Sequence, residues 1–81
     1  MLDKVQHFLK NKHKFDRKLD SREQIEAFNL VCNRYKDAIR SENVTLIRQA
    51  MALLLVDMIK YANSKNINLS ELIQSEFKIN L

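Results

Sequence analysis

A histidine and a carboxylate lie three residues apart near the start of the chain, at His13 and Asp16. On a helix this spacing brings the two side chains into contact, as in a general base and the carboxylate that orients it. Residues 1–20 contain no Ser or Cys to serve as a nucleophile beside them. We therefore interpret His13 and Asp16 as a surface pair, and His7 as a helix-surface residue.

Two further residues, Cys32 and Asp57, have types that can carry chemistry. Cys32 lies among apolar residues, where a thiol behaves as a small hydrophobic group, whereas a reactive thiolate needs an electropositive, partly exposed setting. Asp57 is the single charged residue between Arg48 and Lys60, and Lys60, three residues on, is its expected partner. Because one carboxylate does not hold Mg²⁺, we predict a structural role for Asp57.

The composition disfavours several classes of enzyme site. The 81 residues include no Gly and no Pro, and the phosphate-binding loops of nucleotide enzymes need Gly. No Cys/His cluster offers the ligands of a structural zinc, and one cysteine forms no intrachain disulfide. We therefore predict neither a catalytic residue nor a bound metal nor a cofactor. A domain this small often gains stability by self-association instead.

Four helical segments can be predicted from the spacing of apolar residues, which gives an all-α fold. They cover about residues 2–13, 20 or 21 to 41–43, 44–63 and 68–78. We expect one compact domain of about four helices over residues 1–81, with a basic N-terminal helix and connection at 1–20 and a helical core at 21–81.

Several helix ends are marked by capping patterns. Asp20 with Glu23, or Ser21 with Gln24, forms a capping box at the start of the second helix. Asn66 suits the left-handed position that Gly usually takes after a helix. Asn68, followed three residues later by Glu71, predicts the start of the fourth helix.

The third segment is apolar around nearly its whole circumference, which predicts a central helix buried on several sides. Three short neighbours are too few to enclose it, so we expect part of its surface to meet a second copy of the chain. The residues that we assign to the core and to self-association are Leu46, Ala50, Met51, Leu54, Leu55 and Met58. A homodimer is therefore expected.

Positive charge is concentrated at the start of the chain. Residues 1–22 hold 7 of the 14 Lys and Arg residues and 3 acidic residues, so the net charge of +4 arises there. The basic residues are Lys4, Lys10, Lys12, Lys14, Arg17, Lys18 and Arg22. They form either a solvated face or a binding surface for an acidic protein, a nucleic acid or an anionic lipid surface. Nucleic acid is disfavoured because the sequence gives no sign of a basic platform interleaved with aromatic residues.

The stretch Ala52–Asn80, ALLLVDMIKYANSKNINLSELIQSEFKIN, together with KDAIRSEN at Lys36–Asn43, resembles the MazG-like all-α nucleotide pyrophosphohydrolases. The resemblance implies a dimeric helical bundle. It also implies acidic residues on two helices that gather Mg²⁺ around a nucleoside triphosphate. Of the acidic residues that the family uses, only Asp57 is present in this sequence. Leu54 stands at the position where the Glu that acts with Asp57 is expected. The resemblance therefore implies a member without activity.

The sequence as a whole predicts a non-enzymatic, cytoplasmic regulator of a partner protein. Because the N-terminal region is basic, the expected partner is an acidic protein surface or the cytosolic segment of a membrane protein. The sequence contains no evident transmembrane segment. Lys, Asn and Ile, which have A+T-rich codons, account for 24 of the 81 residues, and this composition indicates a low-GC bacterium or one of its viruses as the source. A bacteriophage accessory factor, such as a host-enzyme inhibitor or a lysis-timing regulator, fits the size and the composition. The alternatives are a divergent or inactive MazG-like enzyme and a nucleic-acid-binding regulator.

Overall fold

A computed structural model describes residues 1–78 of the protein, which form four α-helices and no strand. The helices are α1 (Leu2–Lys12), α2 (Ser21–Ser41), α3 (Val44–Ser64) and α4 (Leu69–Phe77). The predicted all-α class and the number of helices are confirmed, and every predicted helix end lies within two residues of the observed one. None of the helices within the described residues combines the length and hydropathy that crossing a bilayer requires.

The start of α2 is fixed by a reciprocal capping box. The Asp20 Oδ1 atom accepts a hydrogen bond of 2.8 Å from the backbone N–H of Glu23. The Glu23 carboxylate in turn accepts one of 3.1 Å from the backbone N–H of Asp20. Of the two predicted boxes, the one between Asp20 and Glu23 is therefore used, and it satisfies N–H groups that have no partner within the helix.

The α2–α3 corner is built without Gly. Glu42 takes the left-handed conformation, with φ of 56°. Asn43 then caps α3, because its Oδ1 atom accepts hydrogen bonds from the backbone N–H groups of Thr45 and Leu46 at 3.0 and 3.3 Å. Two polar residues thus reverse the chain in place of the usual Gly.

The α3–α4 corner follows the pattern predicted from its asparagines. Asn66 has φ of 56°. Its N–H donates to the carbonyl of Asn63, and the N–H of Ile67 donates to the carbonyl of Ala62 at 2.9 Å, which is the Schellman arrangement. Asn68 then caps α4 by accepting a 3.0 Å hydrogen bond from the N–H of Glu71.

The contacts divide the described chain into two units. One contains residues 1–16 and the chain from Met58 onwards; the other contains Arg17–Asp57. The first unit buries Leu9, Ile59 and Ala62, together with the polar residues Gln6 and Ser70. The second unit buries only small apolar side chains, Ala38 of α2 and Ala50 of α3.

The apolar surface of α3 is only partly enclosed. Ala50, Ile59 and Ala62 are buried, but Met51 and Leu55 are exposed. In the described part of the chain no large side chain is less than 2% exposed. The predicted burial of α3 on several sides is therefore not achieved within one chain, and its completion by a second copy stays a prediction.

Candidate protein-interaction surfaces

One face of α1 presents alternating basic and aromatic side chains. Lys4, Phe8 and Lys12 follow one another at intervals of four residues, which places them along one side of the helix. All three are exposed, and 62% of the Phe8 surface is accessible. The opposite side of α1 carries the buried residues Gln6 and Leu9, so this ridge is the outward side of the helix.

The residues that follow α1 extend the same chemistry. Phe15 is 90% exposed, and the Lys14 ammonium lies 5.0 Å from the centre of its ring, within cation–π range. Phe8 and Phe15 are thus two exposed aromatic rings with lysines beside them. We call Lys4, Phe8, Lys12, Lys14 and Phe15 the basic–aromatic surface. The sequence was expected to contain no basic residues interleaved with aromatic ones, and this expectation, which disfavoured nucleic acid, is wrong: Lys4, Phe8 and Lys12 follow an i, i+4, i+8 pattern.

Two of the seven predicted basic residues form ion pairs with carboxylates of their own unit. Arg17 donates two hydrogen bonds, of 3.0 and 2.8 Å, to the Glu23 carboxylate. This bidentate bond, followed by the hydrogen bond from the Asp20 backbone, lowers the pKa of Glu23 to about 2. The hydrogen bond to Glu23 correspondingly raises the pKa of Arg17. Arg22 contacts Glu26 at 3.4 Å. These two arginines lie in the second unit and are not free cations.

The remaining five predicted basic residues are lysines. None of Lys4, Lys10, Lys12, Lys14 and Lys18 lies within 4.0 Å of a carboxylate in the part of the chain that the structure describes. Lys10 is separate from the ridge. It borders a polar recess of about 380 Å³ together with Asp3, His7 and asparagines of the α3–α4 corner. Lysines that have no carboxylate partner among the described residues are available to bind an external anion.

Gln6 positions α1 against the α3–α4 corner, a role that the sequence analysis missed. Its Nε2 atom donates to the carbonyl of Ile67 at 2.6 Å, and its Oε1 atom accepts from the N–H of Leu69 at 3.0 Å. Its own carbonyl accepts a 3.1 Å hydrogen bond from Asn63 Nδ2. The available sign was a Gln on the apolar side of α1, between Leu2 and Leu9.

The six residues predicted for the core and self-association do not share one face. Leu46 and Ala50 line a groove of about 320 Å³ in the second unit, together with Arg34, Asp37 and Leu53. Met51 and Leu55 are exposed on another side of α3, and Leu54 is half-buried. Met58 is exposed and belongs to the first unit. The six residues therefore do not form a single self-association surface.

The groups with potential for chemistry are dispersed. His13 Nδ1 lies 2.8 Å from Asp16 Oδ2, so the predicted surface pair forms. Lys60 approaches Asp16, at 4.0 Å, instead of the expected Asp57. Asp57 Oδ2 is buried and has no hydrogen-bond partner. Residues 1–78 contain no group of three or more His, Cys, Asp or Glu side chains placed to hold a metal ion, and Cys32 is a half-buried free thiol.

Comparison with protein-family models, with curated proteins and with solved structures finds no match for this chain. The resemblance to the MazG-like enzymes stays a prediction, and its last residues, Ile79 and Asn80, lie outside the described part of the chain.

Proposed function

We propose that this protein is a non-enzymatic regulator that binds a partner protein through the basic–aromatic surface. The observation that carries the proposal is the exposed ridge of Lys4, Phe8 and Lys12, whose lysines have no carboxylate partner among residues 1–78. Exposed aromatic residues supply much of the binding energy of protein interfaces, and unpaired charges provide steering and specificity.

The partner is an acidic protein surface with an apolar centre, such as the cytosolic segment of a membrane protein. Phe8 would occupy the apolar centre, and Lys4 and Lys12, one turn away on either side, would face carboxylates. The two arginines best suited to bidentate phosphate binding, Arg17 and Arg22, already bind carboxylates. This occupancy favours an acidic protein over a nucleic-acid backbone.

The protein acts as a homodimer in the cytoplasm, as an accessory factor of a bacteriophage. The exposed apolar side chains of α2 and α3 support self-association. The A+T-rich codons of Lys, Asn and Ile, which make up 24 of the 81 residues, support a low-GC bacterium or one of its viruses as the source, and a bacteriophage origin agrees with this. Inhibition of a host enzyme and control of lysis timing are the two roles that a small binding protein of this kind would fill.

Affinity capture from host lysate, followed by binding measurements with the purified captured protein, tests the proposal. The double variant Lys4→Glu/Lys12→Glu and the single variant Phe8→Ala should each weaken binding at least about tenfold, or 1.4 kcal/mol. The control Lys65→Glu/Lys78→Glu makes the same change of charge on exposed residues outside the surface and should leave affinity within about twofold.

A captured protein whose affinity is the same for all of these variants would contradict the proposal. A single-stranded oligonucleotide and anionic vesicles serve as competing probes. If either binds at physiological salt and the Lys4→Glu/Lys12→Glu variant abolishes that binding, the surface is one for nucleic acid or lipid, and the proposal is wrong.

A further inference from the structure

An apolar seam runs the length of α2. Ile25, Phe28, Cys32, Tyr35 and Ile39 follow one another at alternating intervals of three and four residues, the a/d spacing by which helices pack against partner helices. Ile25, Phe28 and Ile39 are exposed, and Cys32 and Tyr35 are half-buried. The second unit therefore leaves this packing seam largely uncovered.

The first half of α3 carries a matching stripe. Val44, Met51 and Leu55 share one side of the helix and are all exposed, and the exposed Arg48 lies beside Leu55 on that same side. Within the second unit, the groove lined by Arg34, Asp37, Gln49 and others lies on one side of the two buried alanines, Ala38 of α2 and Ala50 of α3. The 3.6-residue period places the α2 seam and the α3 stripe on the other side of these two alanines.

The seam and the stripe together make one largely apolar face of the second unit, in which Arg48 is the charged residue of the α3 stripe. Its six exposed apolar members are Ile25, Phe28, Ile39, Val44, Met51 and Leu55. Their accessible fractions equal about three fully exposed large side chains, on the order of 600 Å² at roughly 200 Å² each. Complete burial of these six side chains in both copies would remove about 1,200 Å² from solvent, which is the lower end of the range for specific interfaces.

We infer that this face binds the same face of a second copy of the chain, so that two α2–α3 hairpins form a four-helix interface. The inference rests on the proposed homodimer and specifies its surface. The seam is nearly symmetric about Cys32, with an isoleucine seven residues before it and another seven residues after it. A two-fold axis near its centre sets the Ile25 end of one copy beside the Ile39 end of the other, the self-complementarity that a two-fold interface requires.

Two exposed apolar residues of α2 provide a matched pair of variants. Ile25, in the seam, is 60% exposed, and Leu30, on the opposite side of the helix, is 68% exposed. Ile25→Glu and Leu30→Glu introduce the same charge into the same helix at the same degree of exposure. Because both sites face solvent in the single chain, both variants should keep the helix content of the wild type in circular dichroism.

Light scattering coupled to gel filtration gives the mass of each variant at micromolar concentration. The wild type and Leu30→Glu should be dimers of twice 9.6 kDa. Ile25→Glu should be a 9.6 kDa monomer, with the dissociation constant of the dimer raised at least about a hundredfold, because two carboxylates would be buried without partners. In the wild type, labelling of Cys32 by a maleimide should slow as protein concentration rises, and in Ile25→Glu it should not.

Each outcome separates this inference from the broader proposal. If the wild type, Ile25→Glu and Leu30→Glu are all dimers, the face is wrong and the homodimer stands. If Leu30→Glu alone is monomeric, the interface lies on the opposite side of α2 and the inference is equally overturned. A monomeric wild type overturns both this inference and the homodimer, whereas binding of an acidic partner is measured independently through Lys4, Phe8 and Lys12.

Discussion

Gln6 and Ile67 are joined by a 2.6 Å hydrogen bond, in which the buried amide of α1 donates to the carbonyl at the α3–α4 corner. The same amide accepts from the N–H of Leu69, one of the N–H groups at the start of α4 that have no partner within the helix. One side chain of α1 therefore satisfies both a donor and an acceptor of a segment more than sixty residues away.

Replacing Gln6 should destabilise the first unit. In Gln6→Ala the carbonyl of Ile67 and the N–H of Leu69 lose their partner, which should lower the free energy of unfolding by about 1–3 kcal/mol. Urea denaturation followed by circular dichroism measures the loss. Gln49→Ala, at an exposed position of α3, is the control and should change stability by less than about 0.5 kcal/mol. Equal losses in the two variants would show that the Gln6 hydrogen bonds contribute nothing specific.

Asn66 offers a test of the corner itself. Its φ of 56° is unfavourable for residues that carry a Cβ atom, and Asn tolerates it better than Ala does. Asn66→Ala should therefore lower the free energy of unfolding by about 1 kcal/mol, whereas Asn66→Gly should be close to neutral or stabilising. Thermal denaturation of both variants measures the difference. If Ala is tolerated as well as Gly, the left-handed conformation is not required at residue 66.

How much of the structure could be predicted from the sequence depended on how far apart along the chain the interacting residues are. The cap at Asp20 and the caps at Asn66 and Asn68 involve residues within five positions of one another, so the local pattern determines them. The hydrogen bonds of Gln6 join residues 61 and 63 positions apart, which no local pattern predicts.

The surface residues show the same limit. The concentration of basic residues was visible, but the bidentate bond from Arg17 to Glu23 was not, because a six-residue separation matches no helical spacing. For α3, an apolar circumference gives no sign of which side meets α2. The predicted self-association residues were therefore drawn from several sides of α3.

The ion pair between Arg17 and Glu23 should make the stability of the folded protein depend on pH. The pKa of Glu23 is lowered from 4.5 to about 2, so the folded state favours the ionised carboxylate. The contribution to stability is complete above pH 4.5 and is lost as pH falls through the folded pKa, near 2. Glu23→Gln removes the charge and keeps an N3 side chain that can accept from the Asp20 N–H. Its difference in Tm from the wild type should be largest near neutral pH and should decrease from pH 5 to pH 2.

Because the Arg17–Glu23 pair is exposed, the effect should also decrease at high salt. The matched control is Glu26→Gln, which removes the longer 3.4 Å contact with Arg22. A Tm difference for Glu23→Gln that stays constant from pH 7 to pH 2 would contradict the assignment of the low pKa to the Arg17 pair.

The free energy of unfolding should be lower with Asp57 than with an apolar residue at the same position. Its Oδ2 atom is buried and accepts no hydrogen bond, and an unsatisfied buried acceptor costs about 1–3 kcal/mol. Asp57→Leu removes that acceptor from a helix whose neighbouring positions are apolar. The variant should therefore unfold at a higher urea concentration than the wild type, by a free energy on the order of 1 kcal/mol.

The same residue separates a binding protein from a nucleotide pyrophosphohydrolase. Asp57 is the one carboxylate in α3, and a Mg²⁺ site for a triphosphate needs several. We expect no Mg²⁺-dependent hydrolysis of nucleoside triphosphates by the wild type, and none by Asp57→Leu. Turnover by the wild type that Asp57→Leu abolishes, together with a loss of stability in that variant when Mg²⁺ and nucleotide are present, would make Asp57 a metal ligand. Increased stability of Asp57→Leu without any turnover by the wild type would instead mean that the buried Asp57 carboxylate only destabilises the fold.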